Sequence, residues 1–181
     1  MTIICKNDTS RFAKLLKGKW VLTAIALVVL PTAALALTVR LDDSASPRSR
    51  VAPQTTLTNE GRSLADSQEP RSAVVNYGRV EYRLATGQFV GRSASIYLVV
   101  PPLVPGLKSP SGLRVVWRGN GVFASGAARP AERRLVWTGI VQGPLMQETL
   151  DLSLELNLAD IQLPNQAQSG FEMYFELETK P

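Results

Sequence analysis

Histidine is absent from this 181-residue chain, and Cys5 is the only cysteine. Without histidine, Ser-His-Asp and Cys-His catalysis, His-ligated metal sites and His-based proton transfer are excluded. Because Cys5 lies close to the N-terminus, the later residues can form no disulfide, no thiolate metal site and no redox centre. The sequence therefore predicts no enzyme, no catalytic residue, no metal site and no cofactor.

Charged residues are also missing from Trp20 to Val39, a run long enough to cross a bilayer as a helix. Five cations and one anion precede the run: Lys6, Arg11, Lys14, Lys17 and Lys19 against Asp8. This excess predicts that the N-terminus stays in the cytoplasm. We therefore expect a short basic cytoplasmic tail at 1–19, a single-pass transmembrane helix at 20–39 and all later residues outside the cytoplasm.

The same residues also fit a secretory signal peptide. Val21 to Leu30 is a compact apolar stretch, Pro31 breaks it, and Ala34-Leu35-Ala36 matches the small-x-small pattern of a signal-peptidase site. Cleavage after Ala36 would release a chain that begins at Leu37. The exported part has neither cysteine nor an Asn-x-Ser/Thr sequon, which favours a bacterial envelope. The expected location is the bacterial inner membrane, with the C-terminal domain in the periplasm.

The net charge of +5 does not indicate a nucleic-acid partner. Residues 1–39 contribute +4, residues 40–73 contribute zero and residues 74–181 contribute +1, so most of the excess flanks the apolar run. Within the last segment the charges are segregated. Residues 74–134 hold nine cations and two anions, whereas residues 135–181 hold one cation and seven anions. Cross-strand pairing within one domain and docking on an acidic partner are both compatible with this pattern.

The composition changes again near residue 74. Residues 40–73 are rich in Ser, Pro, Asp, Thr, Asn and Arg without any hydrophobic period, which predicts a flexible linker. Residues 74–181 are predicted to form an extracytoplasmic β domain. Five leucines alternate with polar residues from Leu150 to Leu158, and Phe171, Met173, Phe175 and Leu177 repeat the pattern.

Further strands are predicted upstream of these two segments. They cover Val75–Leu84, Phe89–Val100, Leu113–Arg118, Val122–Ser125 and Leu135–Val141. Asn120-Gly121 is predicted to form a type I′ hairpin turn between two of them. About seven strands in about 108 residues predict an all-β fold, an antiparallel sandwich with immunoglobulin-like architecture, and a small barrel is the second choice.

Two groups of residues are candidates for binding. A partner-binding or anion-binding group consists of Arg114, Arg118, Arg129, Arg133 and Arg134, although solvated arginines on a β surface would look the same. Trp117 and Trp137 could form a sugar-stacking platform, but their apolar neighbours Val116 and Val136 favour core positions.

The combination of a tether, a β domain and no catalytic groups predicts a non-enzymatic, membrane-tethered interaction domain. Such a domain would belong to a bacterial envelope complex such as a secretion, pilus or surface-polymer system, with the inner membrane and other envelope proteins or a second copy of the chain as partners. The alternative is a carbohydrate- or lipid-binding module, either anchored or secreted.

Overall fold

Nine strands form two antiparallel sheets in the computed structural model, which describes residues 36–47, 55–58, 61–162 and 172–179. The strands are β1 (Thr38–Arg40), β2 (Thr55–Leu57), β3 (Ser72–Ala85), β4 (Ser93–Val99), β5 (Leu113–Gly119), β6 (Gly126–Ala128), β7 (Arg133–Ile140), β8 (Leu145–Asn157) and β9 (Tyr174–Thr179). One sheet has four strands in the order β1-β9-β4-β7. The other has five in the order β2-β3-β8-β5-β6.

The alternating hydrophobic pattern of β8 and β9 is confirmed. Leu150 and Leu152 of β8 are buried, and Phe175 and Leu177 of β9 are 1% and 0% exposed. The glutamates between the β9 apolar residues lie on the opposite face of the sheet. A strand with this pattern can only bury one face, so each sheet presents its apolar side to the core and its polar side to solvent.

The predicted all-β sandwich is thus confirmed at the level of two antiparallel sheets. The immunoglobulin comparison does not extend to the strand order. In an immunoglobulin constant domain strands A, B, E and D form one sheet, so the first strand pairs with the second. Here β1 pairs with β9, near the other end of the chain.

β3 and β8 form the longest ladder, from Ser72↔Asn157 to Ala85↔Leu145. A bulge between Asn76 and Gly78 interrupts it, and Gly78 adopts a φ of +72° at that point. Glycine reaches this left-handed region without the steric cost of a Cβ atom, so it suits the bulge position. The bulge keeps the apolar residues on both sides of it directed to the core.

The flexible linker predicted at 40–73 contains ordered structure. Leu41 is 4% exposed and belongs to the core, β2 pairs with β3, and β3 begins at Ser72. Composition concealed these segments because their stability comes from partner strands far away in the sequence. The predicted transmembrane boundary at residue 39 also needs correction, since Thr38 and Val39 pair with Glu178 and Leu177 in β1.

Residues 1–35 of the predicted tail and apolar run lie outside the described residues. Among the described residues, no helix is both long and apolar enough to cross a membrane.

Two further predictions from local sequence were wrong. Val122–Ser125 is not a strand, and the next strand after β5, which pairs with it, is β6 and begins at Gly126. Asn120-Gly121 does not form a type I′ turn, because neither residue has the positive φ that this turn requires. The strand β4 is shorter than the predicted Phe89–Val100. Gly87–Phe89 forms a 3₁₀ turn, and β4 begins only at Ser93.

Candidate functional surfaces

The five candidate arginines do not form one surface. Arg114 and Arg118 alternate with buried residues on β5 and lie on the outer face of the five-stranded sheet. Arg133 lies on the outer face of the four-stranded sheet, where it contacts two carboxylates of β9. Since the two sheets pack with their inner faces together, these outer faces point in opposite directions. Arg129 and Arg134 belong to the turn before β7 and to its first residues.

On the five-stranded sheet the arginines face acidic residues of β8. Arg114 is in register with Glu155, and its Nη1 atom lies 2.8 Å from Glu155 Oε2. Asp151 is in register with both Arg118 and Arg79, and Arg79 Nε lies 3.9 Å from its carboxylate. Arg114, Glu155 and Asp151 are about half exposed and Arg79 is 76% exposed, so each pair contributes little to stability.

On the four-stranded sheet a single arginine is held much more firmly. Arg133 Nε lies 2.9 Å from Glu176 Oε2, and Arg133 Nη2 lies 2.9 Å from Glu178 Oε2. Its guanidinium carbon is 3.5 Å from the centre of the Tyr97 ring, in cation–π geometry. Arg133 therefore connects β7 to β9 across the intervening strand β4.

The turn before β7 contains a smaller charge cluster. Glu132 N donates to Arg129 O, and Ala131 has a φ of +68°, the geometry of a type II turn with Pro130 at its second position. The Glu132 carboxylate accepts hydrogen bonds from Arg129 N and from Arg134 Nη2. These bonds and the nearby arginine charges lower the pKa of Glu132, the hydrogen bond from Arg129 N having the largest effect.

These contacts show that basic and acidic segments of the sequence pair with each other within the domain. Basic residues of β3, β5 and β7 meet acidic residues of β8 and β9 because the topology places the late strands beside the early ones. Within the described residues, Arg114 and Arg133 are already neutralised by the chain itself.

The two candidate tryptophans have different environments. Trp117 is 2% exposed, lies against Gly126 and donates a hydrogen bond from Nε1 to Ala124 O at 2.9 Å. Its ring face is therefore closed to a sugar. Trp137 is half-buried, packs against the core and lies over Gly139. A stacking platform of two exposed rings is not formed by this pair, because one of the rings is inside the sandwich.

Glu148 is a buried carboxylate that the sequence analysis did not single out. It is 3% exposed and accepts hydrogen bonds from Val122 N at 2.6 Å, Phe123 N at 2.8 Å and Thr149 N at 2.8 Å. It thereby holds the connection between β5 and β6. The leucine alternation of β8 would have revealed it, since counting back by two from Leu150 reaches Glu148 on the inner face.

Charged clusters of the kind that bind metals do not occur in the described part of the chain, where no group of three or more Asp, Glu, Cys or His side chains could hold an ion. The Pro-rich loop after β4 forms a shallow apolar depression, lined by Pro102, Leu103, Val104, Pro105, Leu107, Lys108 and Pro110. Leu103 in this loop is 85% exposed.

Strand β7 is the longest edge strand in the described part of the chain. The edge strands β1, β2 and β6 have three residues each, whereas β7 has eight and pairs with β4 on one side only. On its other side, Val136 O accepts a hydrogen bond from Ala124 N. Leu135 of β7 is 51% exposed. Such an edge can accept a strand from a partner.

No protein-family model, curated protein or solved structure matches this chain.

Proposed function

We propose that this protein is a non-enzymatic, membrane-tethered interaction domain of a bacterial envelope complex. The N-terminal run would anchor it in the inner membrane, and the sandwich would lie in the periplasm. The proposal is supported by the basic flank before the run, which favours this orientation. It is also supported by the exported segment, which lacks the histidine and cysteine on which most catalytic sites depend.

The observation that carries the proposal is the direct junction between the apolar run and the sandwich. Leu37 O accepts a hydrogen bond from Thr179 N, and Leu37 N donates to Thr179 Oγ1, so Leu37, directly before β1, is already bonded to β9. Trp20–Ala36 then remains for the membrane, about 26 Å as a helix at about 1.5 Å per residue. Lys17 and Lys19 can extend this length by directing their ammonium groups to the headgroups.

For the partner surface we propose the outer edge of β7. The paired arginines are poor candidates, because a partner would first have to compete with Glu155, Glu176 or Glu178. The β7 edge has no strand partner on its outer side among the described strands and carries the exposed side chain of Leu135. A secretion, pilus or surface-polymer assembly would supply a strand of another envelope protein or of a second copy.

The anchor can be tested by the mass of a C-terminally tagged chain recovered from carbonate-washed membranes. We expect the full-length mass, including residues 1–36. A soluble species that begins at Leu37 would contradict the tether and establish cleavage after Ala36.

The partner surface can be tested with Leu135→Lys, because a lysine on an edge strand opposes strand addition. We expect the variant to lose proteins that co-purify with the detergent-extracted wild type. Leu103→Lys, at an exposed residue of the Pro-rich loop, is the matched control and should retain them. Equal recovery with both variants would contradict the β7 edge as the binding surface.

A further inference from the structure

The connection between β5 and β6 holds all but one of its first backbone N–H groups in hydrogen bonds. The donors and their acceptors are Gly119 (Ser125 Oγ), Asn120 (Thr149 O), Val122 and Phe123 (Glu148 Oε2) and Ala124 (Val136 O). Gly121 N has no acceptor among the described residues. Asn120 and Gly121 are both exposed. The amide nitrogen of Gly121 is therefore not held by the fold, although the nitrogens on both sides of it are.

The buried carboxylate of Glu148 explains why residue 121 is glycine. A Cβ atom at this position would overlap the Glu148 carboxylate, which lies beside the main chain of Gly121. The carboxylate cannot easily move away, because it is buried and accepts three backbone hydrogen bonds. Gly121 does not have a positive φ, so the requirement is one of space. The fold thus keeps an exposed asparagine directly before a residue that has no side chain.

We propose that Asn120 is a site of spontaneous deamidation in the folded chain. Gly121 N gives its proton to water and attacks Cγ of Asn120, so a new N–C bond closes a five-membered succinimide ring. The bond from Cγ to Nδ2 breaks, and the nitrogen takes up a proton and leaves as ammonia. Water then opens the ring at either of its two carbonyl groups, which gives aspartate or isoaspartate at position 120. The attack is intramolecular, and neither a hydrogen bond nor a Cβ atom hinders the Gly121 nitrogen.

Asn157 has the opposite arrangement and provides a comparison within the same chain. It is also exposed, but the nitrogen that follows it belongs to Leu158 and donates to Arg71 O at 2.9 Å. The Asn157 side chain is held as well, since its Nδ2 donates to Asp160 Oδ2 at 2.9 Å. Both the attacking atom and the leaving group are therefore engaged, and Asn157 should keep its amide while Asn120 loses it.

Conversion of Asn120 should weaken the connection that Glu148 holds. Isoaspartate leads the main chain through an additional carbon atom, which displaces the N–H groups of Val122 and Phe123 from Glu148 Oε2. Aspartate places a second carboxylate next to the glycine that Glu148 contacts, and like charges at short distance repel each other. Both products should therefore make the folded chain easier to unfold.

The reaction can be followed by peptide mass spectrometry on the full-length chain, incubated at neutral pH in detergent either folded or unfolded in urea. Trypsin releases the peptide 119–133, because Pro130 protects the bond after Arg129, and Asn120 carries the sole side-chain amide of this peptide. We expect Asn120 of the folded chain to become acidic several-fold faster than Asn157. Its rate should also lie within several-fold of the rate in urea.

Conversion of Asn120 in urea but not in the folded chain would overturn the proposal, because the fold would then protect the amide. Equally slow conversion of Asn120 and Asn157 in the folded chain would overturn it too. The converted chain, separated by anion exchange, should unfold at a lower urea concentration than the unconverted chain, and so should Asn120→Asp, which contains the aspartate product from the start. Unchanged midpoints in both would overturn the weakening of the connection.

Discussion

The two sheets use the same sequence feature, basic early strands and acidic late strands, in energetically different ways. On the five-stranded sheet Arg114 and Glu155 form a single half-exposed pair. On the four-stranded sheet Arg133 contacts two glutamates and the face of Tyr97. The difference teaches that charge segregation along a chain says little about surface potential. Topology decides how completely the opposite charges meet.

The largest effect on stability is expected from Glu148→Ala, which removes the buried carboxylate on the inner face of β8. Comparison with an outer-face acid of the same strand shows how much burial matters. Loss of the carboxylate leaves the N–H groups of Val122, Phe123 and Thr149 without their acceptor. We expect the free energy of unfolding to fall by about 2–3 kcal/mol. Urea denaturation of the detergent-solubilised chain measures this loss.

The matched control for that change is Glu155→Ala on the outer face of the same strand. It should cost about 0.5 kcal/mol or less, since an exposed pair is screened by solvent. If both variants lost the same stability, the bonds of Glu148 would not be holding the connection between β5 and β6.

The comparison of the two outer faces is tested directly by Arg133→Met and Arg114→Met. We expect Arg133→Met to destabilise by about 1–2 kcal/mol, because two ion pairs and a cation–π contact disappear together. Arg114→Met should cost about 0–0.5 kcal/mol. Equal shifts in the urea midpoint would mean that the network of Arg133 contributes no more than a single surface pair.

A third prediction concerns Tyr82, which lies between the two sheets and meets Phe175 edge to face at 5.0 Å. Burial, aided by the charges of Asp43 and Glu172, raises the pKa of Tyr82 above its ordinary value of 10.0. In the unfolded chain the Tyr82 phenol loses its proton from about pH 10. In the folded chain the phenol keeps its proton at that pH, because its pKa is raised. Stability should therefore decline as the pH rises above 10.

Tyr82→Phe should make this alkaline decline shallower, which denaturation midpoints between pH 8 and 11 would show. An unaltered slope in the Tyr82 variant would show that this phenol does not link folding to pH.

The smallest effect is expected in the turn that leads into the four-stranded sheet. Ala131 occupies the left-handed position of a type II turn, with a φ of +68° that favours glycine. Ala131→Gly should stabilise the protein by about 0.5 kcal/mol, the relief of strain being partly offset by the entropy of glycine in the unfolded chain. Ala127→Gly in β6, where φ is not positive, should destabilise instead. If Ala131→Gly destabilised the protein, the inference that Ala131 is strained by its positive φ would be wrong.

Local sequence patterns predicted the strands that bury one face. The alternation in β8 and β9, and the apolar stretches of β3, β5 and β7, gave strands at the expected places because period-two patterning reflects burial on one side of a sheet. The type I′ turn predicted at Asn120-Gly121 was wrong because the Glu148 carboxylate, distant in sequence, accepts hydrogen bonds from the backbone of the connection that follows. The turn propensity of two residues cannot compete with several hydrogen bonds that backbone N–H groups donate to a buried carboxylate.

The sequence by itself determined three things: the all-β fold class, the exclusion of chemistry that needs histidine, and the uncharged run with its basic flank. Each of them depends only on composition or on short-range periodicity. Only the tertiary structure decided that β1 closes on β9, that Trp117 is internal while Trp137 is half-buried, and that Arg133 is neutralised by β9. These features join residues far apart in the chain. Their partners are set by strand order, which no local pattern encodes.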